Sequence, residues 1–183
     1  MSTGRLYMTR PPIPPRPAAP AGWRLAQVGT NNLGGVAQIV HMSHVGTPDA
    51  TFNSTYASVA SCREFVESLV LRSGCGSFDA DASFIAFGAG GPEGSILCTR
   101  VGRRNGHVCQ VSVVPAAQGR GLGTLLMETA LAAHARNGLG ISSLSVTEAN
   151  EGARSLYERL GFQVGKRFQT YVWSRGGRPA PST

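Results

Sequence analysis

A glycine-rich segment between an apolar stretch and an amphipathic stretch is the part of the sequence best suited to chemistry. It reads Val113-Val114-Pro115-Ala116-Ala117-Gln118-Gly119-Arg120-Gly121-Leu122-Gly123-Thr124. Pro115 has no N–H group, so strand pairing should end there, and three alternate glycines allow unusual backbone angles and close approach of a ligand. The first turn of the following helix offers unpaired N–H groups and the positive end of its dipole. The segment therefore predicts a pyrophosphate cradle.

Two other phosphate loops do not fit this segment. A Walker loop needs Gly-Lys-Ser/Thr, which is absent. A dinucleotide fingerprint starting at Gly119 and Gly121 would need glycine where Thr124 stands, and an acid about 20 residues further on, where positions 138–147 have none. Taken alone, the segment is equally compatible with a tight strand-to-helix connection.

A second motif follows at residues 144–162, which read LSVTEANEGARSLYERLGF. It has the order strand, Asn150, Ala153, Leu-Tyr-Glu and Gly-Phe. Together with Gln118-x-x-Gly121-x-Gly123, it resembles the two motifs of the GNAT superfamily of N-acetyltransferases, whose pyrophosphate motif is Q/R-x-x-G-x-G/A. The resemblance covers about 107–173; elements between 23 and 102 fit the fold without a specific motif.

The resemblance implies that acetyl-CoA is the cosubstrate and lies where two parallel strands, 107–114 and 141–147, separate. One N–H near Val113 would stabilise the oxyanion of the tetrahedral intermediate. The backbone of 118–124 would hold the pyrophosphate, and Asn150 would bind the pantetheine arm. The implied cofactor-binding residues are Val111, Val113, Val114, Gln118, Gly119, Arg120, Gly121, Leu122, Gly123, Thr124, Asn150 and Tyr157.

The implied reaction is direct attack of a primary amine on the thioester in a ternary complex. It needs a neutral amine and a proton donor for the leaving thiolate. Tyr157 matches the family's acid, although it also lies beside an apolar stripe and could be a core residue. His107 occupies the place where relatives carry a glutamate base and titrates near neutral pH. Glu148 is a second candidate base, and some relatives use no protein base.

The acceptor site of the family implies residues 44–56 and 169–173 here. A carboxylate at Asp49 would suit an amine cation, while ordinary packing remains open for every candidate. The candidate substrate-binding residues are Asp49, Phe52, Tyr56, Tyr171 and Trp173. The sequence does not distinguish a small-molecule amine from a peptide amine.

No metal site is expected. The four cysteines form no C-x-x-C pair, and no histidine stands at zinc spacing. Buried, reduced thiols are the expectation.

The elements that must position these residues alternate between helical and strand periodicity. The fold class predicted is α/β (α+β): a mixed, mostly antiparallel sheet of about seven strands flanked by about four helices. Asn105-Gly106 predicts a hairpin turn, and Ser61-x-x-Glu64 predicts a capping box at the start of a helix. The predicted strands are 23–28, 82–88, 95–102, 107–114, 141–147, 162–168 and 169–174. The predicted helices are 31–44, 61–72, a stretch of roughly 14 residues from Leu122, and 153–160.

Composition divides the chain into a Pro/Arg-rich flexible arm at 1–22, an acetyltransferase-like domain at 23–174 and a flexible tail at 175–183. The formal charge is +7, and the excess lies in the two ends, so we expect no nucleic-acid binding by the core. No membrane span or signal peptide is predicted, which favours a cytoplasmic protein. The alternatives are a non-catalytic acyl-CoA-binding regulatory module and nucleic-acid association through the arginine-rich ends. Homodimers are common in the family, so a homodimer is open.

Overall fold

A single mixed sheet organises the chain. The computed structural model describes residues 2–12 and 22–171. The sheet has eight strands in the order β2-β4-β5-β6-β7-β1-β8, with β3 paired to β5 beside this path. The strands are β1 (Ser2–Arg10), β2 (Arg24–Gln27), β3 (Ser77–Phe78), β4 (Phe84–Gly88), β5 (Gly91–Val101), β6 (Asn105–Val113), β7 (Ile141–Thr147) and β8 (Gln163–Tyr171). This confirms the predicted class of mixed, mostly antiparallel sheet.

Within the described residues, five α-helices connect and cover the strands. They are α1 (Leu33–His44), α2 (Pro48–Phe52), α3 (Val59–Leu71), α4 (Leu122–Arg136) and α5 (Glu151–Arg159). The helices α1 and α4 both pack on β5 and β6, and α1 also packs on α3. Because α1 and α4 cover the same strands without a substantial contact between them, they lie on opposite faces of the sheet. No helix in the described ranges is both long enough and apolar enough to cross a membrane.

The N-terminal segment contradicts one prediction. Residues 2–10, assigned to a poorly ordered arm from composition, form β1, which pairs antiparallel with β7 on one side and β8 on the other. Leu6 and Met8 point into the core and are fully buried. The arm prediction was wrong here because the prolines begin only at Pro11, after a stretch whose alternating burial is that of a strand. The rest of the arm, 13–21, lies outside the described residues.

The end of the sheet also differs from the prediction. The expected two strands, 162–168 and 169–174, are one continuous strand, β8. Its hydrogen-bonded neighbour is β1 rather than a following strand. The predicted tail at 175–183 and the candidate Trp173 lie outside the described residues.

Two local signals were displaced by a few residues. The turn between β5 and β6 is at 102–104, so Asn105 and Gly106 already belong to β6. The N-cap of α3 is Ser58, whose side chain accepts from the N–H of Ser61; Ser61 is therefore inside the helix. Both elements form as expected, with shifted ends.

Candidate active site

A cleft opens where β6 and β7 separate. The two strands pair in parallel only from Asn105 opposite Ile141 to Val108 opposite Leu144. Cys109 is the extra residue of a β-bulge at this point, since Val108 pairs with Cys98 and Gln110 with Leu97. Beyond the bulge, β6 stays paired with β5 but no longer with β7. The cleft has a volume of about 670 Å³, and it exposes a strand edge that is free to pair with an extended ligand.

The glycine-rich loop forms one wall of this cleft. The Nε2 group of Gln118 donates to the carbonyl of Val113 at 3.0 Å, which fixes the loop to the end of β6. Gly119 and Gly121 have φ of +73° and +90°, a region that favours glycine. Gly121 is the N-cap of α4, and the first turn of α4 carries no acidic side chain. The N–H groups of this turn have no intrahelical acceptor, so they can bind an anion in the cleft.

Most of the predicted cofactor-binding residues line the cleft. Arg120 and Val114 are the two that do not. The guanidinium of Arg120 lies 5.0 Å from the ring centre of Trp23, and the N–H of Val114 donates to the carbonyl of Glu93 at 2.9 Å. The ones lining the cleft are Val111, Val113, Gln118, Gly119, Gly121, Leu122, Gly123, Thr124, Asn150 and Tyr157.

Tyr157 is both a core residue and a cleft residue, the two positions that the sequence left open for it. It is 7% exposed and belongs to the hydrophobic core, where its ring meets Phe162 edge-on, and it also lines the cleft. Burial, with a smaller effect of the Asp49 charge, raises the pKa of Tyr157 above its ordinary value. The phenol therefore keeps its proton at neutral pH and can give it to a stronger base.

The two candidate bases lie outside the cleft lining. His107 is half-buried, and its Nδ1 lies 2.9 Å from the hydroxyl of Ser143; burial lowers its pKa. The carboxylate of Glu148 accepts from Arg167 of β8 at 2.9 Å. Neither side chain is among those that surround the cleft.

Some of the candidate acceptor-binding residues line the cleft and others do not. Asp49 and Tyr56 line the cleft, whereas Phe52 does not. Tyr171, at the end of β8, is 64% exposed and also lies outside the lining. Phe52 and Tyr171 were predicted near the acceptor because they belong to the segments 44–56 and 169–173. Belonging to a segment does not determine the direction in which a side chain points.

Asp49 organises a polar network among residues that line the cleft. Its carboxylate accepts from the hydroxyl of Thr147 at 2.6 Å and from the amide of Asn150 at 3.2 Å. Arg5 of β1 donates to the same Thr147 hydroxyl at 3.2 Å. Asn150 also caps α5 by accepting from the N–H of Ala153. The network joins β1, α2, β7 and α5 around the cleft.

Arg5 and His44 also line the cleft, and the sequence singled out neither as a site residue, although His44 bounds the predicted acceptor segment 44–56. Arg5 was hidden in the segment assigned to the arm. His44 ends α1, and its ring stacks on Tyr56 with ring centres 3.8 Å apart. Its Nδ1 lies 2.8 Å from the carbonyl of Val40 and 2.9 Å from the hydroxyl of Ser43. The carbonyl only accepts and the hydroxyl donates to that same carbonyl at 2.9 Å, so these contacts favour a neutral ring with its proton on Nδ1 and a lone pair on Nε2. Burial lowers the pKa of His44 despite opposing effects of Val40 and Asp49.

The cysteines only partly match the expected buried thiols. All four are free; Cys62 and Cys98 are buried, but Cys109 is half-buried and Cys75 is exposed. The expectation was wrong for Cys75 because it follows α3 in a loop, and for Cys109 because it occupies the bulge of β6.

Comparison with known proteins identifies the class to which this fold and cleft belong. The structure of a GCN5-related N-acetyltransferase from Sphaerobacter thermophilus is similar at a TM-score of 0.67 and 21% identity, covering 92% of this chain and 51% of that one. The family model described as Acetyltransferase (GNAT) family matches residues 55–162, more than half of the chain. The chain belongs to the GNAT acetyltransferase family.

Relatives with curated names cover smaller parts of the chain. A mycothiol acetyltransferase of Gordonia bronchialis is 40% identical over 99 residues, which is 52% of this chain and 32% of that protein. The N-alpha-acetyltransferase MAK3 of Arabidopsis thaliana is 33% identical over 91 residues, 48% of each chain. The chain thus spans between about a third and a half of the length of these relatives.

Proposed function

We propose that this protein transfers an acetyl group from acetyl-CoA to a primary amine by direct attack in a ternary complex. The observation that carries the proposal is the end of β6–β7 pairing at Val108 and Leu144, beside a helix whose N-cap is the positive-φ residue Gly121. The open edge of β6 suits the pantetheine arm, and the α4 N-terminus suits the pyrophosphate. These two requirements of coenzyme A meet in one cleft.

Tyr157 is the proposed acid. Attack of the amine nitrogen on the thioester carbonyl gives a tetrahedral intermediate, which collapses by breaking the C–S bond. The departing thiolate then takes the phenolic proton, and the phenolate recovers a proton from solvent. The raised pKa of Tyr157 keeps the phenol protonated at neutral pH but makes it a weaker acid, so the support for this role is its position in the cleft lining.

His44 replaces His107 as the proposed base. The attacking nitrogen must lose a proton as it becomes an amide, and a neutral imidazole with a free Nε2 accepts one directly or through water. His44 lines the cleft and has the required tautomer. His107 has an equivalent tautomer but does not line the cleft.

The acceptor is proposed to enter beside Asp49, Arg5 and Tyr56. Asp49 of α2 supplies a negative charge that favours a cationic amine, and Arg5 of β1 supplies a positive charge beside the same Thr147 hydroxyl. Two of the relatives have names of different kinds, mycothiol acetyltransferase and N-alpha-acetyltransferase. A small-molecule amine and a peptide amine are therefore the two acceptor classes to compare.

Ligand-dependent thermal unfolding tests the cosubstrate. Coenzyme A, acetyl-CoA, NADH and ATP are added separately to the full chain. A ligand at 100 times its Kd stabilises by about 2.7 kcal/mol, a shift on the order of 5–10 °C for a domain of this size. A shift with acetyl-CoA and none with NADH supports the proposal; no shift with either coenzyme A species at millimolar concentration rejects it.

Release of free thiol from acetyl-CoA then tests the reaction. Two acceptor panels are compared, one of small primary amines and one of short peptides with free α-amino groups, with mass spectrometry to confirm the acetylated product. Tyr157→Phe should lower turnover by about 10²–10⁴-fold while acetyl-CoA still raises the melting temperature. Tyr7→Phe, outside the cleft lining, is the matched control. Binding of acetyl-CoA without turnover on any acceptor would favour the non-catalytic regulatory module.

A further inference from the structure

Three potential metal ligands converge outside the proposed reaction. The sulfur atoms of Cys75 and Cys109 and a ring nitrogen of His107 all lie within 4.8 Å of one another. Cys75 comes from the loop after α3, whereas His107 and Cys109 lie on either side of Val108 in β6. The bulge at Cys109 matters here, since it interrupts the strict alternation of side chains along β6.

The loop that carries Cys75 is fixed against β5. The hydroxyl of Thr99 donates to the carbonyl of Cys75 at 2.6 Å and lies 3.3 Å from the sulfur of Cys109. Gly76 has φ of +94°, and a Cβ there would lie 2.5 Å from the carbonyl oxygen of Arg100. This close approach holds the exposed thiol of Cys75 beside the half-buried thiol of Cys109.

A chain of hydrogen bonds sets the tautomer of His107. The hydroxyl of Ser143 donates its only proton to Oδ1 of Asn105 at 2.9 Å. It must then accept from Nδ1 of His107, 2.9 Å away, so the neutral ring carries its proton on Nδ1 and a lone pair on Nε2. Partners of this kind on the second ring nitrogen are the usual support of a metal-binding histidine.

We propose that Cys75, His107 and Cys109 bind a thiophilic divalent ion of the zinc class. Two thiolates and one imidazole form a three-ligand set with a fourth position open to water. Binding replaces the two thiol protons, which leave to solvent, and forms two metal–sulfur bonds and one metal–nitrogen bond. Because ligand distances to zinc are about 2.0–2.3 Å, the three atoms need only a small inward movement.

The site is independent of the proposed acetyl transfer but lies next to the cleft. Cys109 is both a ligand and a cleft residue. No metal site was expected from the sequence, because zinc spacing patterns describe ligands from one or two local motifs. Here one ligand comes from a distant loop and the other two are brought together by a strand.

Cobalt(II) is the probe for the test. The tag-free chain, with its four thiols reduced and counted, is titrated with Co²⁺ and then with Zn²⁺. The expected result is one ion per chain and a thiolate-to-cobalt charge-transfer absorption, which Zn²⁺ abolishes by displacement. Cys75→Ser and Cys109→Ser should each lose the charge-transfer band or most of it, and Ser143→Ala should weaken binding by about 10–100-fold.

Cys62→Ser is the matched control. Its thiol donates to the carbonyl of Thr55 at 3.3 Å, which a hydroxyl can also do, so metal binding should be unchanged. His107→Gln provides a third ligand variant. The melting temperature of each variant without metal shows whether lost metal binding reflects a lost ligand or a lost fold. Absence of a charge-transfer band with four reduced thiols overturns the proposal, as does binding that persists in all three ligand variants. A Cys75–Cys109 disulfide that forms in place of metal binding under the same reducing conditions also overturns it.

Discussion

The imidazole of His134 fills the space that a side chain at Gly106 would occupy. A Cβ at position 106 would lie 2.5 Å from both Cε1 and Nε2 of His134. The ring is fully buried, and its Nδ1 lies 2.8 Å from the hydroxyl of Ser142 on β7. One histidine of α4 therefore packs on β6 and hydrogen-bonds to β7, at the end of the region where these two strands remain paired.

Gly106→Ala is expected to destabilise the fold because the added methyl group must displace a buried ring. Overpacking of this kind costs about 1–3 kcal/mol. The free energy of unfolding in urea measures the effect. Gly90→Ala is the matched control, since a Cβ there has nothing within 4 Å and no positive φ is required. Equal stabilities for the two variants would contradict the close packing of His134 on Gly106.

The buried His134 also predicts a dependence of stability on pH. Burial lowers the pKa of His134 from 6.5 to about 4, so the unfolded chain binds a proton more readily than the folded one. This contribution to stability is complete above pH 6.5 and is lost as pH falls from 6.5 toward 4, with a loss of about 2 kcal/mol at pH 5. Urea unfolding between pH 7.5 and 5 measures it.

His134→Gln is the comparison that isolates this group. Glutamine does not titrate and can hydrogen-bond to Ser142 as donor or acceptor, so the difference in unfolding free energy between the two proteins should shrink or reverse as the pH falls. Parallel pH dependences in both proteins would show that other groups cause the slope.

The central part of the fold was predictable because local signals and tertiary contacts agree there. The period of β7 and the glycine-rich start of α4 gave their positions directly. Gly106 shows where prediction from local sequence fails. Asn105-Gly106 is a strong turn signal, yet glycine is needed here because the ring of His134, from a helix distant in sequence, occupies the space of a side chain. Local patterns do not contain that contact.

The parts of the site that the backbone forms were predictable from the sequence. The parts that side chains form were less predictable. Gly119 and Gly121 have the positive φ that the motif suggested. Arg5 was missed, and His44 was only the boundary of the acceptor segment 44–56. Their roles depend on which elements meet at the cleft, and no pattern in β1 or at the end of α1 singles them out. The same limitation misplaced His107, which packs against Ser143 of the neighbouring strand.

The N-terminal strand should be essential for stability. Leu6 is fully buried and lies in the strand that connects β8 to the rest of the sheet. Leu6→Ala should cost roughly 2–5 kcal/mol, measured by urea unfolding. Leu71→Ala, at a site that is 56% exposed, should change stability little. A poorly ordered N-terminal segment would instead tolerate both substitutions equally.

The pH dependence of acetyl transfer distinguishes His44 from other candidate bases. Because burial lowers its pKa below the ordinary value of about 6.5, His44 is neutral and able to accept a proton at pH 7, and it becomes protonated and inactive only as the pH falls through that lowered pKa. The acceptor amine must also be neutral, so it contributes its own slope to the profile. Loss of His44 should therefore lower the slope of log(kcat/KM) against pH by one unit in the acid region.

His44→Gln is the variant to measure, with the most active acceptor from the amine panels. Its kcat/KM at pH 7 should fall by about 10²–10⁴-fold, and its acid limb should have one unit less slope than that of the parent. His41→Gln is the matched control, since His41 lies on the same helix and is not among the residues that line the cleft. An unchanged acid slope in His44→Gln, with normal binding of acetyl-CoA, would mean that the amine loses its proton to solvent and that His44 only packs against Tyr56.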